Sequence, residues 1–252
     1  MVLLVRLFKG DIAKVSGSAL VTSANDSLVG NEQPLYWRFA SRQNVDGAVR
    51  LAGGAALREA CLAFEATVAE AVLEGPKRDI SRWERTAKVG TSRLRRCSVG
   101  DCVATRGFGA LDVDFVIHAV APDSEYQGDE LSPSLRLLRS AYDRAFGKAE
   151  ALECATLALP SLGSGVKAWP PAISSAVALD VLRSRQDTSI KEVTFVVGDD
   201  AARVAWTRVA KTLLGEPSEL RGDAFLWHFD DHQMPDFRLE EVDDLKPPAR
   251  PG

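Results

Sequence analysis

Cysteine is scarce: Cys61, Cys97, Cys102 and Cys154 are the only four, with no CxxC spacing and no histidine close by in sequence. That excludes the usual structural zinc patterns, so no metal is expected, and the plainer reading is four reduced thiols in a cytosolic or nuclear protein. Long apolar runs are missing as well. Nothing approaches the roughly 18 residues of a membrane span, and Met1–Val5 stops at Arg6, too short for a signal-peptide core and without a cleavage site. Basic excess is the third absence: the net charge of −4 argues against a domain whose main partner is a nucleic-acid backbone. What remains is an ordinary globular composition, 46% hydrophobic and 26% charged over 252 residues, enough to bury a core without staples.

Charge is unevenly placed. Residues 77–96 hold Lys77, Arg78, Arg82, Arg85, Lys88, Arg93, Arg95 and Arg96 against Asp79 and Glu84, while residues 216–252 hold ten acids against four bases and five of the twelve prolines. The basic stretch reads as a solvated insertion; its alternative is a contact with nucleic acid or another polyanion. Docking of the acidic tail over it is a further expectation, one that salt would screen. Phe225, Trp227, Phe229 and Phe237 suggest that the first part of the tail packs on the domain, and the composition beyond about Asp243 reads as disordered.

Between these regions short apolar runs alternate with helical patterns. Val2–Leu7, Ala19–Thr22, Phe115–Val120, Ala155–Leu159 and Glu192–Val197 read as strands, several buried on both faces. Helices are expected at about 46–63, 134–149, 171–184 and 199–214, the second carrying Leu135, Leu138, Tyr142 and Ala145 as an apolar stripe. This predicts an α/β/α three-layer sandwich with a largely parallel, mixed sheet. The domain would cover 1–215, with an insertion at about 65–98 and an extension at 216–252. No internal repeat and no long apolar surface stripe is evident, so a monomer is expected.

In such a fold ligands bind beyond the carboxyl ends of the strands. Three loops there stand out. Thr22-Ser23-Ala24-Asn25-Asp26-Ser27 offers hydroxyls, an amide and N–H groups, or simply a turn. Asn44-Val45-Asp46-Gly47-Ala48 opens a helix, where Asp46 either caps it or presents a carboxylate to a ligand. Pro160 to Pro170 sets Gly163 and Gly165 around Ser164, a phosphate-cradle pattern that matches neither Walker A nor GxGxxG, with Trp169 as either a stacking wall or core. His118, in mid-strand, reads as a satisfied core histidine.

Gly10-Asp11-Ile12, Val21 to Asn25, Val45 to Ala48, Val116-Ile117-His118-Ala119-Val120-Ala121-Pro122 and Pro160 to Pro170, in that order, resemble the macrodomain family over about residues 2–214. The resemblance implies a three-layer fold that binds ADP-ribose. Carried across, Asp11 would hold the adenine amino group, Ile12 would line the adenine pocket, and Asn25 would bond the distal ribose. Gly163, Ser164, Gly165 and Val166 would wrap the pyrophosphate, and Trp169 would flank the distal ribose. Ala24, Val45, Gly47, Ala48 and Ser161 would complete the binding surface, with no cofactor, and the nucleic-acid alternative for the basic stretch 77–96 would extend to a poly-ADP-ribose chain.

Asn25 and Asp46 match the pair of the macrodomains that remove mono-ADP-ribose from acidic side chains. Positive charge develops at the anomeric carbon when that bond breaks, so a nearby carboxylate can stabilise it and direct a water. In an alternative route the ligand's own phosphate is the base and Asp46 an orienter. The resemblance therefore implies a hydrolase acting on mono-ADP-ribosylated proteins, with a non-catalytic reader, an ADP-ribose 1″-phosphate phosphatase and a scaffold with a dead pocket as alternatives. This chain departs from the family pattern in three places. Gly30 to Gln43 replaces a run of glycines with a bulky segment expected to form a lid or narrow the pocket. Gly163 and Lys167 stand where serine and an aromatic are common, and Gly198-Asp199-Asp200 brings no ring for the adenine face.

Overall fold

A computed structural model describes residues 2–30, 44–69, 93–124, 133–185, 187–230 and 233–235. All but Gly30 of the lid expected at 30–43, most of the basic insertion and the end of the acidic tail lie outside the described residues.

The five anticipated strands form the parallel heart of one sheet: β1 (Val2–Lys9), β2 (Gly17–Ser23), β6 (Val113–Ala119), β7 (Thr156–Pro160) and β8 (Glu192–Val197). Three further strands extend it, β5 (Cys102–Arg106), β9 (Glu219–Arg221) and β10 (Ala224–Asp230), in the order β5-β6-β2-β7-β8-β1-β10-β9. The neighbours from β6 to β1 run parallel, whereas β5 and β10 pair antiparallel at the flanks. A separate two-stranded ribbon, β3 (Thr67–Ala69) with β4 (Arg93–Arg95), brackets the insertion.

Strand periodicity of two sorts the apolar residues between the two faces. Leu3, Val5, Leu7, Val21, Ile117, Leu157, Leu159, Val193 and Phe195 enter the larger core. There they meet α2 (Pro133–Ala151), α3 (Pro171–Arg183) and α4 (Asp200–Leu214). Leu20, Val116, Ala158 and Val196 face the other way, onto α1 (Val45–Leu62) and the single 3₁₀ turn Ile12–Lys14. This is the α/β/α sandwich that the alternation of elements predicts. α3 is buried almost throughout, from Ala172 to Leu182, which explains its lack of a polar face. α1 kinks at Gly54, and the Ala52 carbonyl there accepts the Ala110 N–H at 2.8 Å.

The tail aromatics pack as strand residues. β10 lies antiparallel on β1 from Val2↔Asp230 to Leu7↔Phe225, and Trp227 and Phe229 enter the larger core. The sheet thus continues past residue 215. All four cysteines are buried and unpaired. Among the described residues no helix is long and apolar enough to cross a membrane.

Candidate functional site

Because β1, β2, β6, β7 and β8 run parallel, the loops that follow them open on one edge of the sheet. Residues 10–14, 24–30, 120–124, 161–170 and 198–199 are therefore neighbours of one cleft edge, with the start of α1 beside them.

At that start the helix cap is not Asp46. Asn44 takes the role, its Oδ1 accepting the Gly47 N–H at 2.7 Å. The helix begins one residue before the expected 46, which puts Asn44 in the extended N-cap conformation and leaves Asp46 within the first turn. The Asp46 carboxylate is thereby free for other partners. Arg50 donates Nε to its Oδ2 at 2.8 Å, and the Thr22 hydroxyl stands 3.5 Å from Oδ1. Only 16% of either side chain in this ion pair is exposed. Burial pushes the Asp46 carboxyl above the ordinary carboxylate range, with Arg50 and Thr22 pulling the other way. A carboxyl so placed can accept a proton at a pH where a surface aspartate would not.

The loop after β2 is tied down at several points. Asn25 accepts the Ser27 hydroxyl at 3.0 Å on Oδ1 and donates Nδ2 to the Gly30 carbonyl at 3.1 Å. The turn-forming reading of Asn25 is thus realised, and among the described residues one amide hydrogen and one lone pair are left without a partner. The Asp26 carbonyl accepts the N–H groups of both Arg96 and Cys97, and Arg96 also donates to the Ser27 carbonyl at 3.0 Å. The last residues of the basic stretch therefore brace the loop. Ala24 is buried, its N–H directed to the Ala119 carbonyl at 2.9 Å. Val45 and Ala48 pack partly against the smaller core.

The loop after β7 is shaped from beneath by a tryptophan. Trp169 is 1% exposed and donates Nε1 to the Pro122 carbonyl at 3.0 Å. This corrects the expectation of a ribose wall: the indole is committed to the core, where its polar N–H has an acceptor and its ring holds the loop up. Gly163 has φ 74, and a Cβ there would come within 2.5 Å of the Trp169 ring. Ser164 turns inward, donating Oγ to the Ser161 carbonyl at 2.8 Å, while Ser161 Oγ accepts from Trp206. Gly165 is open and Val166 is 82% exposed. Among the described residues the N–H groups of Gly163, Gly165 and Val166 have no acceptor, which is the donor set a phosphate loop needs. Lys167 pairs with Asp123 at 2.9 Å, so its charge is largely answered within the protein.

At the far end Asp11 caps the 3₁₀ turn through the Ala13 N–H at 3.0 Å and remains exposed, while the Ile12 side chain is core. That corrects Ile12 as a pocket-lining side chain; only its backbone lies at the edge, because the short turn rolls the apolar residue inward. Asp199 caps α4, and Asp200 bonds Lys9 at 2.8 Å. His118 is buried, within 3.0 Å of the Thr105 hydroxyl, in keeping with its reading as a satisfied core residue. Among the described residues no cluster of His, Cys, Asp and Glu could hold a metal ion.

Sequence reasoning passes over Arg50, and takes Thr22 only as one hydroxyl of its loop and not as a partner of Asp46. The four-residue spacing of Asp46 and Arg50 on a helix is the one signal that could have found the pair.

Known proteins are similar to this chain in sequence and in fold. The macro domain family model matches residues 83–178. A macro domain-containing protein of Cupriavidus necator is 30% identical over 193 residues, 76% of this chain and 88% of the relative. A Pantoea vagans protein named O-acetyl-ADP-ribose deacetylase 1 is 28% identical over 198 residues, 77% of this chain and 91% of its own. Among solved structures, a glycine-to-valine mutant of the Oceanobacillus iheyensis macrodomain with ADPR superposes with a TM-score of 0.60 at 23% identity, over 82% of this chain and 92% of that one. The Trypanosoma brucei macrodomain in complex with ADP-ribose gives 0.54 at 18% identity, over 80% and 67%. With its sheet order, its loops on one edge and a sequence relationship that spans most of a relative's length, this chain belongs to the macro domain family.

Proposed function

We propose that the chain binds ADP-ribose across the carboxyl edge of its sheet and hydrolyses mono-ADP-ribose from modified protein side chains. One observation carries the reading. Asp46 is a largely buried carboxylate with no capping duty, kept at the opening of a helix by Arg50 and Thr22. Burying a carboxylate is costly and is seldom retained without a task. In this reading the pyrophosphate rests on the N–H groups of Gly163, Gly165 and Val166, Asp11 receives the adenine amino group, and the remaining donor of Asn25 fixes the distal ribose. Asp46 then directs or deprotonates a water at the anomeric carbon and stabilises the positive charge that develops there.

The Pantoea vagans relative, by its name, favours a second substrate, O-acetyl-ADP-ribose. The same carboxylate and loop would serve, with water attacking the acetyl carbonyl, the ribose oxygen leaving as a hydroxyl and the acyl group released as acetate. The two are separated by product: free ADP-ribose from a mono-ADP-ribosylated protein, or acetate from the acetyl ester.

The test begins with calorimetric titration by ADP-ribose, with AMP as the control. Binding of ADP-ribose well above that of AMP is expected. Asp46→Ala should then keep binding within about threefold while lowering turnover by roughly 100-fold, as for loss of a general base. Wild-type turnover in Asp46→Ala, or no heat from ADP-ribose at any temperature, would sink the reading.

A further inference from the structure

The side chain that joins the two halves of this site is Arg50. Its Nε meets Asp46 Oδ2 at 2.8 Å, and its Nη2 donates to the Leu28 carbonyl at 2.9 Å. One planar fork thus bonds the first turn of α1 and the loop that presents Asn25. The same loop passes over the guanidinium at Gly30, where a Cβ would come within 2.5 Å of Nε. At 16% exposure this is no surface ion pair. Placing a guanidinium there costs desolvation that only well-directed hydrogen bonds offset.

We infer that Arg50 is the positioning residue of the site, holding the Asp46 carboxylate in place and clamping the Asn25 loop to α1 through a single side chain. The inference rests on the hydrolase reading and deepens it by naming what keeps the two reacting-end residues in register. Lysine could carry the charge but not the fork, since an ammonium is a point donor on a flexible stem. The two duties are therefore separable by substitution.

The groups that bear on Asp46 are few. Thr22 of β2 faces it as a neutral hydroxyl, Arg50 of α1 as its counter-charge, and the Cys61 thiol lies within the field of both. His118 of β6 feels Arg50 and is itself kept neutral by burial, with a pKa lowered to about 3. Between pH 5 and 8, then, Arg50 is, among the described residues, the formal charge that opposes the burial of the Asp46 carboxylate. Without it, the carboxylate should hold its proton to higher pH.

The experiment is a carbon-13 NMR titration of the full chain labelled at the aspartate carboxyl carbons, with Asp46 assigned through Asp46→Asn. It compares wild type, Arg50→Gln and Arg50→Lys. In Arg50→Gln the Asp46 midpoint should rise by about one pH unit or more. Turnover in Arg50→Gln should fall by well over tenfold at pH 6 and recover only in part as the pH rises through the new midpoint, the loss of the loop clamp remaining at every pH, with KM changed less than about threefold. In Arg50→Lys the midpoint should stay within about half a unit of wild type, while kcat drops roughly tenfold at every pH because the loop is no longer clamped.

An Asp46 midpoint unchanged in Arg50→Gln would overturn the inference. So would wild-type kcat in Arg50→Lys, the variant that carries the test if the glutamine form folds poorly. Failure of the hydrolase reading looks different, since wild-type protein would then release no product even if the midpoints shift as expected.

Discussion

His118 and Asp46 are both desolvated, and burial drives them to neutrality from opposite sides. For His118 burial disfavours the imidazolium and Arg50 adds to the effect, lowering its pKa to about 3. The folded protein therefore refuses a proton that the unfolded chain takes up below about pH 6.5. Stability from this residue is complete above about pH 6.5 and is lost as the pH falls toward 3, at about 1.4 kcal/mol per pH unit. Urea unfolding at pH 7, 6 and 5 should show that slope, and His118→Gln should remove about one proton's worth of it. An identical slope in the variant would mean that other groups carry the acid sensitivity. Asp46 runs the other way: its raised pKa makes the ionised form the costly one, which is how a carboxyl comes to be useful near neutral pH.

At the scale of elements, the loop after β7 shows how much of a binding surface is scaffold. Gly163 occupies a positive-φ position against the Trp169 ring, and that ring is pinned by its bond to Pro122. Gly163→Ala would add backbone strain and a clash that the indole cannot relieve by swinging away. A loss of roughly 2–4 kcal/mol is expected, read as a drop in the urea midpoint, together with weaker ADP-ribose binding. Unchanged stability would mean that the loop shifts freely and is no preformed cradle.

Helix and strand positions on the five parallel strands and four helices were legible because their apolar periods are strong and uninterrupted. The short flanking strands were not. In β5, Cys102 and Thr105 are buried and Arg106 is exposed, a pattern with no period-2 signal to read. The capping of α1 stays open in the sequence for a similar reason. Asn44 and Asp46 are both good caps by type, and only the conformation at Asn44 decides between them.

Over the whole molecule, β10 closes the flank of the parallel sheet that β1 would otherwise expose. It pairs along the length of β1 and buries Trp227, whose Nε1 donates to the Gly215 carbonyl at 2.9 Å. Trp227→Ala should cost about 3–5 kcal/mol, seen as a lowered melting temperature in a protein that stays soluble. Removing residues 218–252 should do worse and yield aggregated protein, because an apolar strand edge becomes free to pair. A truncated chain that melts like the full one would show that the two strands are dispensable.

The layered α/β/α class, the parallel core and the loops that line the carboxyl edge of the sheet were all readable along the chain. Those follow from local periodicity and from strand ends that empty into small polar residues. Tertiary structure alone decided that Trp169 supports the loop from below, that Ile12 turns inward, and that Asp46 answers to Arg50 and Thr22. The physical reason is common to all three. Each outcome depends on which partner a side chain meets across the fold, and burial and ion pairing of that kind leave no periodic mark along the chain.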